Sequence, residues 1–431
     1  MKSYSKYKPS GIPWLGDVPV HWEVKKVKHV AQHTTGWTPP TGNASAYEGD
    51  NLWANIGDLG ARVISETQNR ISDEAARLAG IIPSPAGSLL FSFKLSVGQV
   101  SIAGVPLYTN EAIATFLPTD EYAIGWAFYA FPAFIPENSA VNIYGARLLN
   151  QQRINDASLV VPTIAEQHAI TDYLDTETTR IEKLIREKES LIRLLDEARR
   201  SFVSDLLSGD SLPGSPSGNE WVPHLPTGWQ LKRLKHLAQV RSGIAKGKNT
   251  EGKETVELPY LRVANVQDGH LDLDEISTIK VDSNTVERFS LQAGDVLMNE
   301  GGDFDKLGRG ALWSGEISPC LHQNHVFAVR PVEDDLSEWL AAVTLTRYAK
   351  FYFMNNAKQS TNLASVSQGN VKELPVLLPP KNVRDELLAR TRDEARALTN
   401  LIAHTKNEIC LLQELRAVTI TDAVTGKIQV S

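Results

Sequence analysis

Residues 14–36 read WLGDVPVHWEVKKVKHVAQHTTG, and residues 221–243 read WVPHLPTGWQLKRLKHLAQVRSG. Shifted by 207 positions, Trp14, Pro19, Trp22, Lys25, Lys28, His29, Ala31, Gln32 and Gly36 land on Trp221, Pro226, Trp229, Lys232, Lys235, His236, Ala238, Gln239 and Gly243. The chain therefore contains an internal duplication. A second block repeats at an offset of 217, where Ile181, Leu184, Ile185, Ile192, Leu194, Leu195, Glu197, Arg199, Asp205 and Gly209 fall on Leu398, Leu401, Ile402, Ile409, Leu411, Leu412, Glu414, Arg416, Asp422 and Gly426. Each half has a similar beginning and a similar helical end. Between these blocks the halves agree only at scattered points, such as Ala86-Gly87 with Ala293-Gly294 and Asn55 with Asn265. The frame repeats and the payload differs, which suits a molecule that recognises two different things a fixed distance apart.

Composition narrows the field. A chain of 431 residues, 42% of them apolar, has room for two to four domains with real cores. No run approaches the roughly 18–20 apolar residues of a membrane span, and residues 1–9 carry no export signal, so the expected location is the cytoplasm. Cys320 and Cys410 have no partners at metal-ligand spacing; both are expected to be buried bystanders in a reducing compartment. A net charge of -7 argues against holding nucleic acid by bulk electrostatics. The distribution softens that objection, because Lys2, Lys6, Lys8, Lys25, Lys26 and Lys28 crowd the first forty residues, and Arg241, Lys246 and Lys248 sit in a stretch without acids. The acids gather instead at 166–197 and 385–394, so basic faces remain available to DNA if those helices dock on protein.

The expected fold class is α+β, with two globular domains and two long helices. Residues 1–160 read as a mixed domain of short strands and loops, with strand-length apolar runs at 88–93 and 100–105. Residues 161–208 change character: positions 163–207 contain neither proline nor glycine, and Ile181, Leu184, Ile185, Leu191, Ile192, Leu195 and Phe202 recur at helical spacing. Residues 209–219 end that helix in a flexible joint rich in glycine and proline. A second mixed domain follows at 220–378, a second long helix at 379–425, and a tail at 426–431. Two helices of about 40 residues are each roughly 60 Å long. Neither is stable with its apolar stripe exposed, so the two should form an antiparallel coiled coil. That pairing would relate the halves by a pseudo-two-fold axis and hold two globular domains at opposite ends of a rigid spacer. The alternative is two helices packed separately, each on its own domain.

At this point the order of elements resembles a known family. Domain, Pro-rich step and long helix, all repeated, are similar to the DNA-specificity subunit of Type I restriction-modification enzymes over essentially the whole chain. The stretch VVPTIAEQHAI at 160–170, with Pro162, Glu166-Gln167 and Ile170, resembles that family's first helix start. NEGGD at 299–303 followed by KLGRG at 306–310 resembles a segment of its target recognition domains. The second copy departs from the pattern, with Lys381-Asn-Val-Arg384 in place of the Glu-Gln pair. The resemblance implies a non-catalytic subunit in which each domain reads one half of a split, asymmetric site on double-stranded DNA. It further implies that the paired helices set the gap and dock two methyltransferase subunits, with restriction (motor-nuclease) subunits joining for cleavage. No cofactor is expected on this chain, since S-adenosylmethionine, Mg and ATP would belong to the partner subunits. A spacer of a few tens of ångströms puts half-sites roughly one to two helical turns apart.

Base reading needs bidentate donors and acceptors on loops, backed by cations that grip phosphate. The candidates in the first domain are Lys94, Gln99, Asn110, Arg147, Asn150 and Gln151. Those in the second are Arg241, Lys246, Lys248, Asn249, Lys306, Arg309, Gln323, Asn324, Gln359 and Asn362. The clusters at 245–249 and 303–309 stand out because glycine beside cations lets backbone approach phosphate, although Gly301-Gly302 also reads as a plain tight turn. The bland reading of any one candidate is a solvated or capping residue. Trp14, Trp22, Trp221 and Trp229 repeat where specificity should differ, which marks them as framework packing, and His29 and His236 read as satisfied structural histidines.

Enzymatic readings fare worse. An adenine methyltransferase needs an Asn-Pro-Pro or Asp-Pro-Pro motif, and neither Asn-Pro nor Asp-Pro occurs in the chain. A Mg-dependent nuclease could use Asp303 and Asp305 beside Lys306, but the first half has no counterpart, and Glu251-Gly-Lys253 lacks an upstream Pro-Asp. No Walker-type phosphate loop is present. The remaining alternative is a duplicated coiled-coil scaffold that binds proteins and not DNA.

Overall fold

The computed structural model describes residues 3–40, 42–141, 145, 147–247, 252–302, 306–359 and 364–430. The chain forms two compact units, Met1–Lys188 with Asn407–Ser431, and Glu189–Lys406. Each of the two long helices, Ile164–Ser208 and Lys381–Val424, contributes to both.

In the first unit the hairpin Tyr7–Pro9/Asp17–Pro19 precedes strand Glu23–Lys26, which pairs antiparallel with Ser158–Val161 immediately before the long helix. Between them lies a five-stranded sheet in the order His33–Thr35, Ile113–Phe116, Leu89–Ser92, Val100–Ala103, Val63–Ile64. A three-stranded sheet sits beside it, Tyr108–Thr109, Asn51–Ala54, Asn69–Ile71, the first pair parallel and the second antiparallel. Leu89–Ser92 is buried along its whole length, as an interior strand covered on both faces requires. Helix Ile124–Phe134 packs on the larger sheet, bringing Trp126, Phe131 and Phe134 into one core with Trp22, Phe91 and Phe116.

The second unit repeats this plan, except that its main sheet has four strands and lacks a counterpart of Val63–Ile64. Hairpin Gly214–Pro216/His224–Pro226 leads into Gln230–Arg233, which pairs with Pro375–Leu378 before the second long helix. The main sheet runs Ala238–Ser242, Val326–Pro331, Val296–Asn299, Gly310–Leu312, and the smaller one Leu321–His322, Thr255–Leu261, Ser277–Asp282, again with one parallel and one antiparallel pair. The duplication thus extends through the interval where residue identity had nearly vanished. Strand pairing depends on periodicity and burial, which many sequences satisfy.

The structure corrects several expectations. Asn55 N–H donates to Asp58 Oδ2 at 2.8 Å, and Arg262 N–H donates to Asn265 Oδ1 at 2.8 Å, each closing a short helical turn. The counterpart of Asn265 is therefore Asp58, not Asn55. The stretch at 209–219 is not a flexible joint, because Gly214–Pro216 is a strand of the second unit's first hairpin. Cys320 is buried, but Cys410 is exposed. Gly301–Gly302 is no tight turn but a strand paired with Ala364–Ser365. His29 and His236 are exposed on the last turn of matching 3-10 helices, so burial does not account for their repetition.

Within each unit the two helices run antiparallel. In the first, Lys188 Nζ meets Glu408 at 2.7 Å and Arg416 meets Glu182 at 3.1 Å, one register rising as the other falls. There Ala423 and Val424, near the end of the second helix, are buried with Trp22, Ile170 and Leu174. In the second, Val203 and Leu207, near the end of the first helix, are buried with Trp229, Leu387 and Leu388. Each helix therefore begins on its own domain and ends in the core of the other, which excludes separate packing. Trp22 and Trp229 are framework residues, as their repetition suggested. Among the described residues no helix is long and apolar enough to cross a membrane.

Both helix ends close on a glycine in the left-handed region, Gly209 at φ 64° and Gly426 at φ 73°. A Cβ on Gly209 would lie 2.7 Å from Pro226 and 3.2 Å from Trp229; on Gly426 it would lie 2.5 Å from Pro19 and 2.9 Å from Trp22. Gly209→Ala therefore combines backbone strain with a clash. It is expected to destabilise the second unit by about 1–3 kcal/mol, read as a lower denaturation midpoint for unit-specific amide exchange with the first unit unaffected.

Candidate nucleic-acid interface

The main sheet of each unit has two distinct ends. In the first, strand Ile113–Phe116 pairs Phe116 with Leu89 at one end and Ile113 with Ser92 at the other. The Phe116 end leads to Ala123, whose N–H donates to Gln167 Oε1 at 2.7 Å at the start of the long helix. The Ser92 end gathers loops instead. Phe93 N–H donates to Ala112 O at 3.0 Å and Trp37 N–H to Thr109 O at 2.9 Å, the Thr38 hydroxyl donates to Glu111, and Gln151 Nε2 donates to Thr35 Oγ1 at 3.1 Å. The Thr38 hydroxyl holds the Glu111 carboxyl below the usual carboxylate range, with Lys94 adding attraction.

A repeated glycine makes this gathering possible. A Cβ on Gly36 would lie 1.7 Å from the Thr109 carbonyl oxygen, and one on Gly243 would lie 2.0 Å from that of His322. Only glycine allows the chain to cross the parallel strand so closely. The same crossing is made in the second unit, where Ile244 N–H donates to His322 O at 2.9 Å and the Ser242 hydroxyl donates to Asn324 O at 3.1 Å.

Among the first-domain candidates, Lys94, Asn110 and Gln151 come together at the loop end. Lys94 is exposed near Glu111, while Asn110 accepts from Ala112 N–H at 3.1 Å and so shapes its own loop. Gln99 donates to Leu59 O at 2.7 Å, a tie to a neighbouring loop. Asn150 caps helix Gln151–Asp156, accepting from Arg153 N–H at 2.8 Å. Arg147 stands apart on hairpin Ala140–Val141/Arg147–Leu148, paired with Glu137 at 2.9 Å.

In the second unit Arg241, Lys246, Gln323 and Asn324 fall on adjoining segments of the loop end. Lys246 is exposed on the turn after the Gly243 crossing, and Asn324 Nδ2 lies 3.3 Å from His325 Nε2, whose ring contacts Glu300 at 2.6 Å. Arg241 donates to the Arg288 carbonyl. Gln359 is exposed on strand Lys358–Gln359, joined through Ala364–Ser365 to Gly301–Gly302. Arg309 turns its guanidinium to Gln267 Oε1 at 2.9 Å, and Lys306 is half-buried nearby in sequence. Lys248, Asn249 and Asn362 lie outside the described residues, as do Asp303 and Asp305.

Sequence reading passed over Gln368, which caps back onto Val240 O at 2.6 Å and lies 217 positions after Gln151. The helical offset was the signal for it. It also passed over Thr38, Glu111 and His325, which carry no motif, over the side chain of Glu300 within the NEGGD stretch, and over Leu95, an apolar residue in a hairpin that reads as core.

The loop ends thus offer amide, hydroxyl and ammonium groups on two homologous platforms whose side chains differ. The family model for the Type I restriction modification DNA specificity domain matches residues 19–191 and 226–411. The chain belongs to this family. It is 25% identical over 268 residues to the Type I restriction enzyme MjaIX specificity subunit of Methanocaldococcus jannaschii, covering 59% of this chain and 60% of that one. It is 22% identical over 276 residues to the EcoKI specificity subunit of Escherichia coli K12, covering 63% and 58%. The chain thus spans under two thirds of the length of these two relatives. Against the EcoDI specificity subunit of Escherichia coli, at 19% identity, the coverage is 96% and 90%. Among solved structures, a chain from a type I R-M system is similar with a TM-score of 0.69 at 16% identity, covering 95% of this chain and 99% of that one. The HsdS subunit from Thermoanaerobacter tengcongensis gives 0.52 at 15% identity, covering 95% and 98%. These likenesses establish the specificity-subunit fold.

The departure at the second helix start has a physical explanation within this fold. In the first copy Gln167 is buried, and its amide also donates to Pro162 O at 3.0 Å, while Glu166 accepts from Trp22 Nε1 at 3.2 Å. In the second copy Arg384 is buried instead and donates to Asp335 at 2.6 Å, with Lys381 at 3.0 Å from the same carboxylate. The two helix starts use different chemistry for the same joint.

The loop end of the second unit rests on His322, whose Nδ1–H donates to Val326 O at 2.6 Å. Burial pushes this imidazole down to about 4, so it is neutral at pH 7. The unfolded chain, titrating near 6.5, binds a proton that the folded one refuses, so stability is lost as pH falls from about 6.5 to about 4, by up to about 3 kcal/mol. His322→Asn keeps a donor without a titration, and its denaturation free energy should fall less steeply over that window than the wild type's.

Proposed function

We propose that this chain is a non-catalytic, sequence-specific DNA-binding subunit of a Type I restriction-modification enzyme. One recognition domain reads each half of a split, asymmetric site. One observation carries this reading: two domains that share the order of four main-sheet strands, on a shared helical frame, present different side chains at the same loop end. The first offers Lys94, Asn110 and Glu111; the second offers Lys246, Gln323 and Asn324. A repeated frame with unequal loops fits two unequal half-sites, and each bidentate side chain on a base edge contributes about 1–3 kcal/mol of discrimination. Cations at the loop ends, including Lys94 and Lys246, would sit on phosphates and fix register.

The paired helices are the docking surface for two methyltransferase subunits, one toward each domain, and restriction subunits join that assembly. S-adenosylmethionine, Mg and ATP are bound by those partners, and the complex acts on DNA in the cytoplasm. The test is to co-express the chain with a methyltransferase subunit encoded beside it and to map methylated adenines across the genome by single-molecule sequencing. A single motif of two dissimilar blocks at fixed spacing is expected, and replacing residues 240–362 with those of another family member should change one block only. An assembled complex that methylates no split motif would overturn the reading.

A further inference from the structure

The turn between strands Leu89–Ser92 and Val100–Ala103 holds a leucine in water. Phe93 is buried and Val97 packs on the same core, yet Leu95 between them is 91% exposed. Residues two apart on an extended chain share a face, so regular backbone would turn Leu95 inward with its neighbours. It is turned outward by a φ of 57°, and among the described residues it is the one non-glycine residue with positive φ. The turn is well fixed. Ser92 N–H donates to Gln99 O at 2.8 Å, Gly98 N–H to Ser92 O at 2.9 Å, Val97 N–H to Leu95 O at 2.8 Å, and the Ser92 hydroxyl to Lys94 O at 3.0 Å. A left-handed backbone and an exposed apolar side chain both raise the free energy of the unbound protein, and strain of this kind gathers where a ligand is met.

Position says which ligand. Leu95 follows Lys94 at the loop end that carries Asn110 and Glu111, and Phe93 ties the turn to Ala112. The residue 207 positions later is Gly302, which also has a positive φ, 149°, but no side chain, so the exposed leucine is part of what distinguishes the first domain from the second. We propose that Leu95 is a base-contacting specificity residue: its side chain enters the groove of the first half-site and packs against the base pairs there, while Lys94 holds the adjacent phosphate. Apolar side chains read thymine methyl edges and wedge between base steps, and a preformed turn presents one without ordering cost at binding. This inference rests on the chain being a DNA-specificity subunit.

The test uses the full chain in complex with its methyltransferase subunit, as wild type, Leu95→Asn and Leu95→Gly. Both replacements tolerate the left-handed backbone, so both variants should fold and assemble with a Tm no lower than wild type. Binding to a duplex carrying the mapped motif is expected to weaken about tenfold, while binding to an unrelated duplex changes by less than about twofold. Base changes in the first block should cost the variants less affinity than they cost wild type; base changes in the second block should cost all three proteins equally. Variants that bind the mapped duplex as wild type does would overturn the proposal. Variants that no longer assemble would overturn it too, placing Leu95 in a protein interface. If the wild-type complex shows no sequence preference, the functional reading itself has failed and the Leu95 assignment falls with it.

Discussion

Each long helix ends in the core of the domain that belongs to the other half of the chain, and the rest of the architecture depends on that contact. Its chemistry is the same in both units: a proline and a tryptophan from the repeated N-terminal block close over a glycine in the left-handed conformation, Pro19 and Trp22 over Gly426, Pro226 and Trp229 over Gly209. Tyr7 adds a hydrogen bond from its hydroxyl to Gly426 O at 3.1 Å. Neither helix could keep its apolar stripe dry alone. By ending in a foreign core, each completes one domain while supporting the other, and the antiparallel pairing follows.

This arrangement separates the supporting end from the variable loops within a single domain. The helix start anchors one end of the main sheet, through Gln167 in one copy and Arg384 in the other. The opposite end is left to loops held in place by a glycine crossing, Gly36 or Gly243, that no other residue fits. Side chains at the loop end can vary without disturbing the helix joint, because the buried strands between them insulate the two. The two loop ends are then free to differ while the frame stays the same.

The frame was legible in the sequence because it is carried by identities, Trp22 with Trp229 and Gly209 with Gly426, at constant offsets. The strand order between was not, since a strand pair asks only for alternation and burial. Residue identity therefore pairs Asn265 with Asn55, whereas the structure pairs it with Asp58, a residue of different type that performs the same turn closure. The candidate residues were legible by type and not by orientation. Lys94, Asn110 and Gln151 converge at one loop end, but Gln99 and Arg147 spend their polar groups on local partners that only three-dimensional neighbours define. Leu95 was invisible because its hydropathy says core and only its φ says otherwise.

The most direct measurement is amide hydrogen exchange on a complex with the proposed methyltransferase partner, with and without a duplex bearing the mapped motif. DNA-dependent protection is expected to be confined to the loop ends of both domains, residues 35–40, 42–44, 93–98 and 109–112 in one and 242–247, 299–302 and 323–326 in the other. Protection concentrated instead on the first hairpins or along the helix pair, with the loop ends unchanged, would contradict it.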